Sequence, residues 1–321
     1  MLRITALALV GCGSGIPEDK SQSPQSPPAP QVPWPGVHGP VVGGGFGSAL
    51  VYAGEQLVVA EPISGTVYVL GDDGPTVLQR GGALFGAALG LDEDGVVIGD
   101  PVVGQVVDAQ GHSRLVGGQG TGRVLSRHGP LAAVTSEGWW SAGLGHVPTA
   151  ASVAQITRSA AGVWTSFRSP DLILEGPSLL VRRDDGPPDL GLSFAIADID
   201  GDGVDELILG APGTGLVEVR SSVGGRLLHR LQPGLSGFGT ALAVGDIDGD
   251  GLFEMLVGSP GCGDARQGCA DLYRGTPDGP EPWLRWTGQE PEGGLGAAVA
   301  IRRGELAIGA PHGVGRVVRL T

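Results

Sequence analysis

Two acidic segments carry the residue types and spacing that can do chemistry. One reads Asp198-Ile-Asp200-Gly-Asp202-Gly203-Val204-Asp-Glu206, the other Asp246-Ile-Asp248-Gly-Asp250-Gly251-Leu252-Phe-Glu254. Each sets carboxylates at positions 1, 3, 5 and 9 around a glycine that permits a tight turn. Hard oxygen donors at that spacing make a cage suited to Ca²⁺. Four carboxylates packed this closely repel one another unless a cation sits among them. An EF-hand is excluded, because it needs a bidentate Glu at position 12 and helices on both sides. Position 12 here is Leu209 or Val257, and the flanks are short apolar runs of strand character. The expectation is two bound Ca²⁺ ions, which would offset +4 of a net charge of −14.

Other chemistry is scarce. The chain has no H-E-x-x-H, no G-x-S-x-G elbow and no phosphate-binding Walker loop. The Gly-rich stretch Gly117-Gly118-Gln-Gly120-Thr-Gly122 lies between strand-like runs, with no helix to cradle a phosphate. His38, His112, His128, His146, His229 and His312 are scattered and read as loop or surface residues. No catalytic residue is assigned, and a non-enzymatic protein is expected. The acidic balance excludes nucleic acid as a partner, since phosphate binding needs a basic face. Asp19-Lys-Ser21-Gln-Ser23 matches the D-x-S-x-S metal pattern of von Willebrand A-type domains, but the buried strand that such a site requires does not precede it.

The first residues carry an address. Arg3 gives a short positive region, residues 4–10 a short apolar core, and Leu9-Val10-Gly11-Cys12 resembles a bacterial lipobox. The apolar run is too short to span a bilayer and reads as a signal. The resemblance implies that residues 1–11 are a signal peptide, with cleavage before Cys12 and lipid on its sulfur. A plain secretory signal or a mistranslated start is the alternative. Gly13 does not match an inner-membrane retention signal, which points to the outer membrane or cell surface. Residues 12–36 are rich in Ser and Pro and read as an extended tether. In an exported chain Cys262 and Cys269 are expected to form a disulfide. A zinc site would need a His or third Cys nearby, and there is none.

Positioning the acidic loops falls to many short strands. The 321 residues include 60 Gly and 25 Pro, and glycines punctuate apolar runs of four to six residues. Such β-branched or Leu-rich runs are a strand signal. They recur in register. Phe46-Gly-Ser-Ala-Leu-Val leads to Gln56-Leu-Val-Val-Ala-Glu-Pro62, and Phe85-Gly-Ala-Ala-Leu-Gly to Gly95-Val-Val-Ile-Gly-Asp-Pro101. The sharpest copies pair Phe194 with Glu206-Leu-Ile-Leu-Gly-Ala-Pro212, Phe238-Gly with Glu254-Met-Leu-Val-Gly-Ser-Pro260, and Leu295-Gly with Glu305-Leu-Ala-Ile-Gly-Ala-Pro311. Weaker copies begin near Gly122 and Val153. Seven units of about forty residues predict an all-β fold, a seven-bladed β-propeller of four-stranded antiparallel blades over residues 37–321. Runs apolar on both faces, such as Leu207-Ile208-Leu209, fit strands covered on both sides by neighbouring blades. The last unit shows three strands, so a segment at 37–42 is expected to supply its fourth.

Phe-Gly opening one strand, Gly-Ala-Pro closing the next and D-x-D-x-D-G-x-x-E between them resemble the FG-GAP repeat of integrin alpha-chain propellers. The likeness covers residues 44–321, strongly in three units and weakly in four. It implies that Asp198, Asp200, Asp202 and Glu206 donate carboxylates to one Ca²⁺ and Val204 its backbone carbonyl. It likewise implies Asp246, Asp248, Asp250, Glu254 and the Leu252 carbonyl for a second. The turn Leu91-Asp92-Glu93-Asp94-Gly95 is too short for a cage, and Arg302-Arg303 would oppose a cation. In integrins the calcium loops lie on one face and ligands bind the other. Together with the lipobox at Cys12, the resemblance implies a lipid-anchored, monomeric adhesion or assembly scaffold for a protein or surface-glycan partner. Candidate binding elements are the loop closed by Cys262 and Cys269 and the pair Trp139-Trp140, the latter either an exposed anchor or a filler between blades. The alternative is an enzyme or carbohydrate-binding module that uses the axial pocket.

Overall fold

The computed structural model describes residues 36–126, 131–142, 144–149, 152–159, 162–168, 172–177, 180–182 and 186–321. Cys12 and the tether expected over 12–36, apart from Gly36, lie outside the described residues. Among the described residues no helix is long and apolar enough to cross a membrane.

The chain forms seven antiparallel sheets arranged as a propeller, six of them meanders in sequence order and the seventh completed by the opening strand. Six sheets have four strands. Blade three has three named strands, and Leu125 stands in the place of its first strand by bridging Ala133. The first strand of each blade lines the axis. The strands are short because glycines turn the chain. Gly54 and Gly304 take φ of 61° and 71° in the hairpins that join Ala53 to Gln56 and Arg302 to Glu305. An L residue with a Cβ is strained there.

Apolar alternation explains why the blades stack. In the second strand of blade five (Glu206–Ala211), Leu207 and Leu209 pack into the seam with blade four. Ile208, pointing the other way, packs into the seam with blade six. All three are 0% exposed. Seven apolar clusters result, one at each seam of the ring. Burial of an aliphatic side chain stabilises by about 2 kcal/mol, so the seams hold the disc together. The recurrent Phe-Gly serves the same contact. Phe238 is fully buried, while Gly239 lies so close to blade five that a Cβ on Gly210 would collide with the Gly239 carbonyl.

The ring closes as the sequence requires. Gly36–His38 pairs antiparallel with Arg316–Leu320 as the outermost strand of blade seven, Val37 opposite Val317. As described, the closing strand includes Gly36, one residue ahead of the boundary read from sequence, and ends at His38, before the 42 expected. Val41 and Val42 are exposed and lie in the turn that follows. Glu61 fixes this turn, since its buried carboxylate accepts the Val41 amide at 3.3 Å, the Ser64 hydroxyl at 2.6 Å and the Tyr68 hydroxyl at 2.8 Å.

Candidate functional site

Both acidic segments are loops between the first and second strands of their blades. In blade five the loop joins Ser193–Ala197 to Glu206–Ala211, and in blade six it joins Ala241–Gly245 to Glu254–Ser259. Ladder pairs Ala197 to Glu206 and Gly245 to Glu254 close the base of each loop. They place both loops on the same face of the disc.

The aspartates fold the loops around themselves. Asp198 accepts the Gly201 amide at 2.7 Å and the Gly203 amide at 2.9 Å. Asp200 accepts the Asp202 amide at 3.1 Å, and Asp202 the Val204 amide at 2.7 Å. The second loop repeats the pattern: Gly249 to Asp246 at 2.6 Å, Asp250 to Asp248 at 3.3 Å, Leu252 to Asp250 at 2.9 Å. Asp198, Asp200 and Glu206 bring one carboxylate oxygen each within 4.8 Å of one another, as do Asp246, Asp248 and Asp250. Asp202 and Glu254 stand outside those tightest groups. Val204 and Leu252 sit at the loop ends, and the Leu252 side chain reaches Gly201 of the first loop.

Glu206 and Glu254 are rooted in the sheet, 2% and 0% exposed. Each spends one oxygen on a backbone amide, Ile199 at 3.0 Å and Ile247 at 2.9 Å. The second oxygen of Glu254 is buried with no hydrogen-bond partner. Burial pushes the Glu206 carboxyl up to about 7 against the Ile199 amide, and Asp200, Asp202 and Asp198 push the same way. Glu254 is also raised, by burial first. An all-oxygen donor set, clustered carboxylates and an orphan buried oxygen fit a hard divalent cation.

In two blades without a full acidic loop, arginine meets the acids that remain. In blade two Arg114 reaches Asp92 at 2.8 Å and Asp94 at 2.5 Å across the short turn. In blade seven Glu305, the counterpart of Glu206 and Glu254, is 1% exposed. It is held by Arg302 at 2.6 Å and by Arg319.

The opposite face carries the disulfide. Cys262 and Cys269 are bonded, with Cα atoms 5.6 Å apart, in the loop between the second and third strands of blade six. Both cysteines are buried. This loop is docked on the connection to blade seven, through Glu292 to Ala265 at 2.7 Å and Leu295 to Gln267 at 2.9 Å. At its crest the exposed Arg266 holds φ 53°, and Glu292 on the abutting segment holds φ 56°, a conformation costly for residues with a Cβ. Trp139 and Trp140 make no exposed pair. Trp139 is buried between blades three and four, and Trp140 is half-buried between blades two and three. Both work as fillers between blades, because alternate residues of one strand face opposite seams.

Along the axis lie two cavities. One of about 300 Å³ opens towards the acidic-loop face, lined by Val51, Phe194, Ile196, Val244 and Ile301 with Arg302. The other, about 210 Å³, opens towards the disulfide face. Leu50, Gln155 and Leu242 line both and form the waist between them. Gln155 is pinned there, donating to the Phe194 carbonyl at 2.7 Å and accepting its amide at 2.8 Å. The sequence alone gave no signal for Gln155, Arg114 or Arg319.

The fold is a seven-bladed β-propeller, and two of its blades match the FG-GAP repeat. The FG-GAP repeat family matches residues 190–225 and 238–268, the two blades with intact acidic loops. Blade seven, which keeps Gly-Ala-Pro but has lost the acidic loop, falls outside the matched residues. Among solved structures the chain is similar to selenomethionine-substituted virginiamycin B lyase from Staphylococcus aureus. The TM-score is 0.57 at 11% identity, over 89% of this chain and 98% of that one. At such identity the likeness shows the fold alone. A search of curated proteins finds no match.

Proposed function

We propose that this protein is a calcium-stabilised FG-GAP propeller that serves as a binding scaffold, anchored at a bacterial surface by lipid on Cys12. The observation that carries the proposal is the division of the disc. Two acidic cages occupy one face, and the disulfide-braced loop stands on the other. Ca²⁺ held by Asp198, Asp200, Asp202 and Glu206, and by Asp246, Asp248, Asp250 and Glu254, cancels carboxylate repulsion and ties the first two strands of blades five and six. The Val204 and Leu252 carbonyls complete the donor sets. The partner, a protein or surface glycan, then meets the disulfide face, where a loop fixed before binding loses little entropy on association.

The alternative is an axial enzyme or sugar site, for which the 300 Å³ cavity is the supporting observation. The described residues that line it are mostly apolar, with Tyr52, Gln155, Thr157 and Arg302 as polar groups. Burial pushes the Tyr52 phenol up to about 12, a poor match to proton transfer near neutral pH, so the lining favours the binding reading. The test is photo-crosslinking to cell-surface extract from a probe at Arg266, and in parallel from one at Val103 on the same face far from the disulfide. A crosslink to one partner at Arg266, lost in chelator, supports the scaffold. Turnover of a surface substrate, abolished by filling the axial cavity with Ala243→Trp, would establish the enzyme instead.

A further inference from the structure

The two acidic loops have the same donor spacing but different surroundings. No described ion pair reaches Asp198, Asp200, Asp202 or Glu206. The second loop faces two arginines. Arg274, the last residue of the third strand of blade six, donates to the outer oxygen of Asp248 at 2.8 Å. Its guanidinium stacks on Trp283, 4.4 Å from the ring centroid. Arg303, in the hairpin of blade seven, lies against Gly249, where a Cβ would meet its guanidinium. The neighbouring Gly304 amide anchors that hairpin on the Ile247 carbonyl at 2.8 Å.

We infer that Arg274 and Arg303 split the two cages into one tight and one weak calcium site, the weak one at the seam of blades six and seven. This rests on the reading of both loops as calcium sites. For the second loop that reading has support beyond its acidity, in the buried Glu254 oxygen that has no partner. The affinity of an oxygen cage follows its charge and rigidity. Each cage has four carboxylates and the first loop carries Asp205 besides, whereas two guanidiniums beside the second reduce its local charge from −4 to −2. An ion entering there also competes with Arg274 for Asp248. Stacking on Trp283 keeps Arg274 in place after displacement, so the exchange is reversible. The first loop fills at low calcium and braces the disc. The second responds over a higher range and alters the contact between blade six and blade seven.

Calorimetric titration of the chelator-stripped full chain with CaCl₂ at low salt tests this. Two steps are expected, with dissociation constants at least about tenfold apart. Asp200→Asn should remove the tight step and Asp248→Asn the weak one. Arg274→Gln with Arg303→Gln, both at exposed positions, should tighten the weak step about tenfold and leave the tight step unmoved. In the unaltered protein, raising the salt to about 1 M should narrow the gap by screening the exposed guanidiniums. A single class of sites, a weak step unmoved by the double substitution, or the reverse assignment by the Asp variants would overturn the inference while leaving calcium binding intact. Absence of any calcium heat would instead remove the calcium reading itself.

Discussion

Burial raises three carboxyls, Glu206, Glu254 and Asp271, and the first two belong to the acidic loops. The Glu206 carboxyl titrates at about 7 in the folded chain against an ordinary 4.5. A carboxyl with a raised folded pKa stabilises the fold fully below its unfolded value, and that contribution is lost as pH rises through the folded one. In chelator the melting temperature should therefore fall between about pH 5 and about pH 8, with Glu254 shifted in the same direction. With calcium present the trend reverses, because the ion needs both carboxylates ionised. Scanning calorimetry at the two pH values decides it, and a metal-free melting temperature that climbs across the window contradicts the site as described. Glu254→Gln keeps the shape of the side chain but weakens the donor set. At calcium about a hundredfold above the dissociation constant it should forfeit roughly 2.7 kcal/mol of calcium stabilisation, read as a smaller calcium-induced shift in the urea midpoint.

At the level of elements, the first hairpins of blades five, six and seven settle a buried glutamate in two ways. Blades five and six keep the long loop, whereas blade seven replaces it with Arg302-Arg303-Gly304 and holds Glu305 with Arg302 and Arg319. Replacing both Arg302 and Arg319 by Gln should leave a buried carboxylate alone and cost about 3 kcal/mol, seen in equilibrium unfolding. The disulfide loop belongs to the same scale. Reduction, or Cys262→Ser with Cys269→Ser, should cost about 2–3 kcal/mol through the short loop it closes. The loop is docked on residues 288–295, so protease should then cut first between 263 and 268. Unchanged stability and an unchanged cleavage map would show that the hydrogen bonds alone hold the loop. The strands and loop boundaries were legible in sequence because periodicity and glycine placement act within a few residues. The partners of Glu305 were not, since Arg319 reaches it from a different strand. Nor was the burial of Trp139 and Trp140, which depends on blades two and four.

Among the described residues, Gly36–His38 of the opening segment closes the ring as a strand on the outer edge of blade seven, and the Gly39 and Gly43 amides extend the contact. A chain beginning at Gly45 would lack that strand and the Val41 contact to Glu61. It should expose the backbone edge of Arg316–Leu320, melt earlier and associate through that edge. Light scattering and a thermal melt against the full chain test this. A monomer of unchanged stability would mean that the apolar seam of Phe46, Leu50 and Tyr52 with Ala298, Ala300 and Val317 closes the ring without the strand.

The sequence by itself determined the repeat, the strand character of each unit, the donor spacing of both acidic loops and the need for a closing strand. Each of these is written in residues near one another in the chain, where steric preference and hydrophobic alternation decide. Tertiary structure alone decided which arginine meets which acid and which tryptophan is covered. It also decided that Arg274 and Arg303 face the second cage and not the first. Those outcomes depend on how whole blades dock, and docking is set by seams between residues far apart in sequence. Electrostatics follows distance in space, so two loops nearly identical in letters differ in the charge around them.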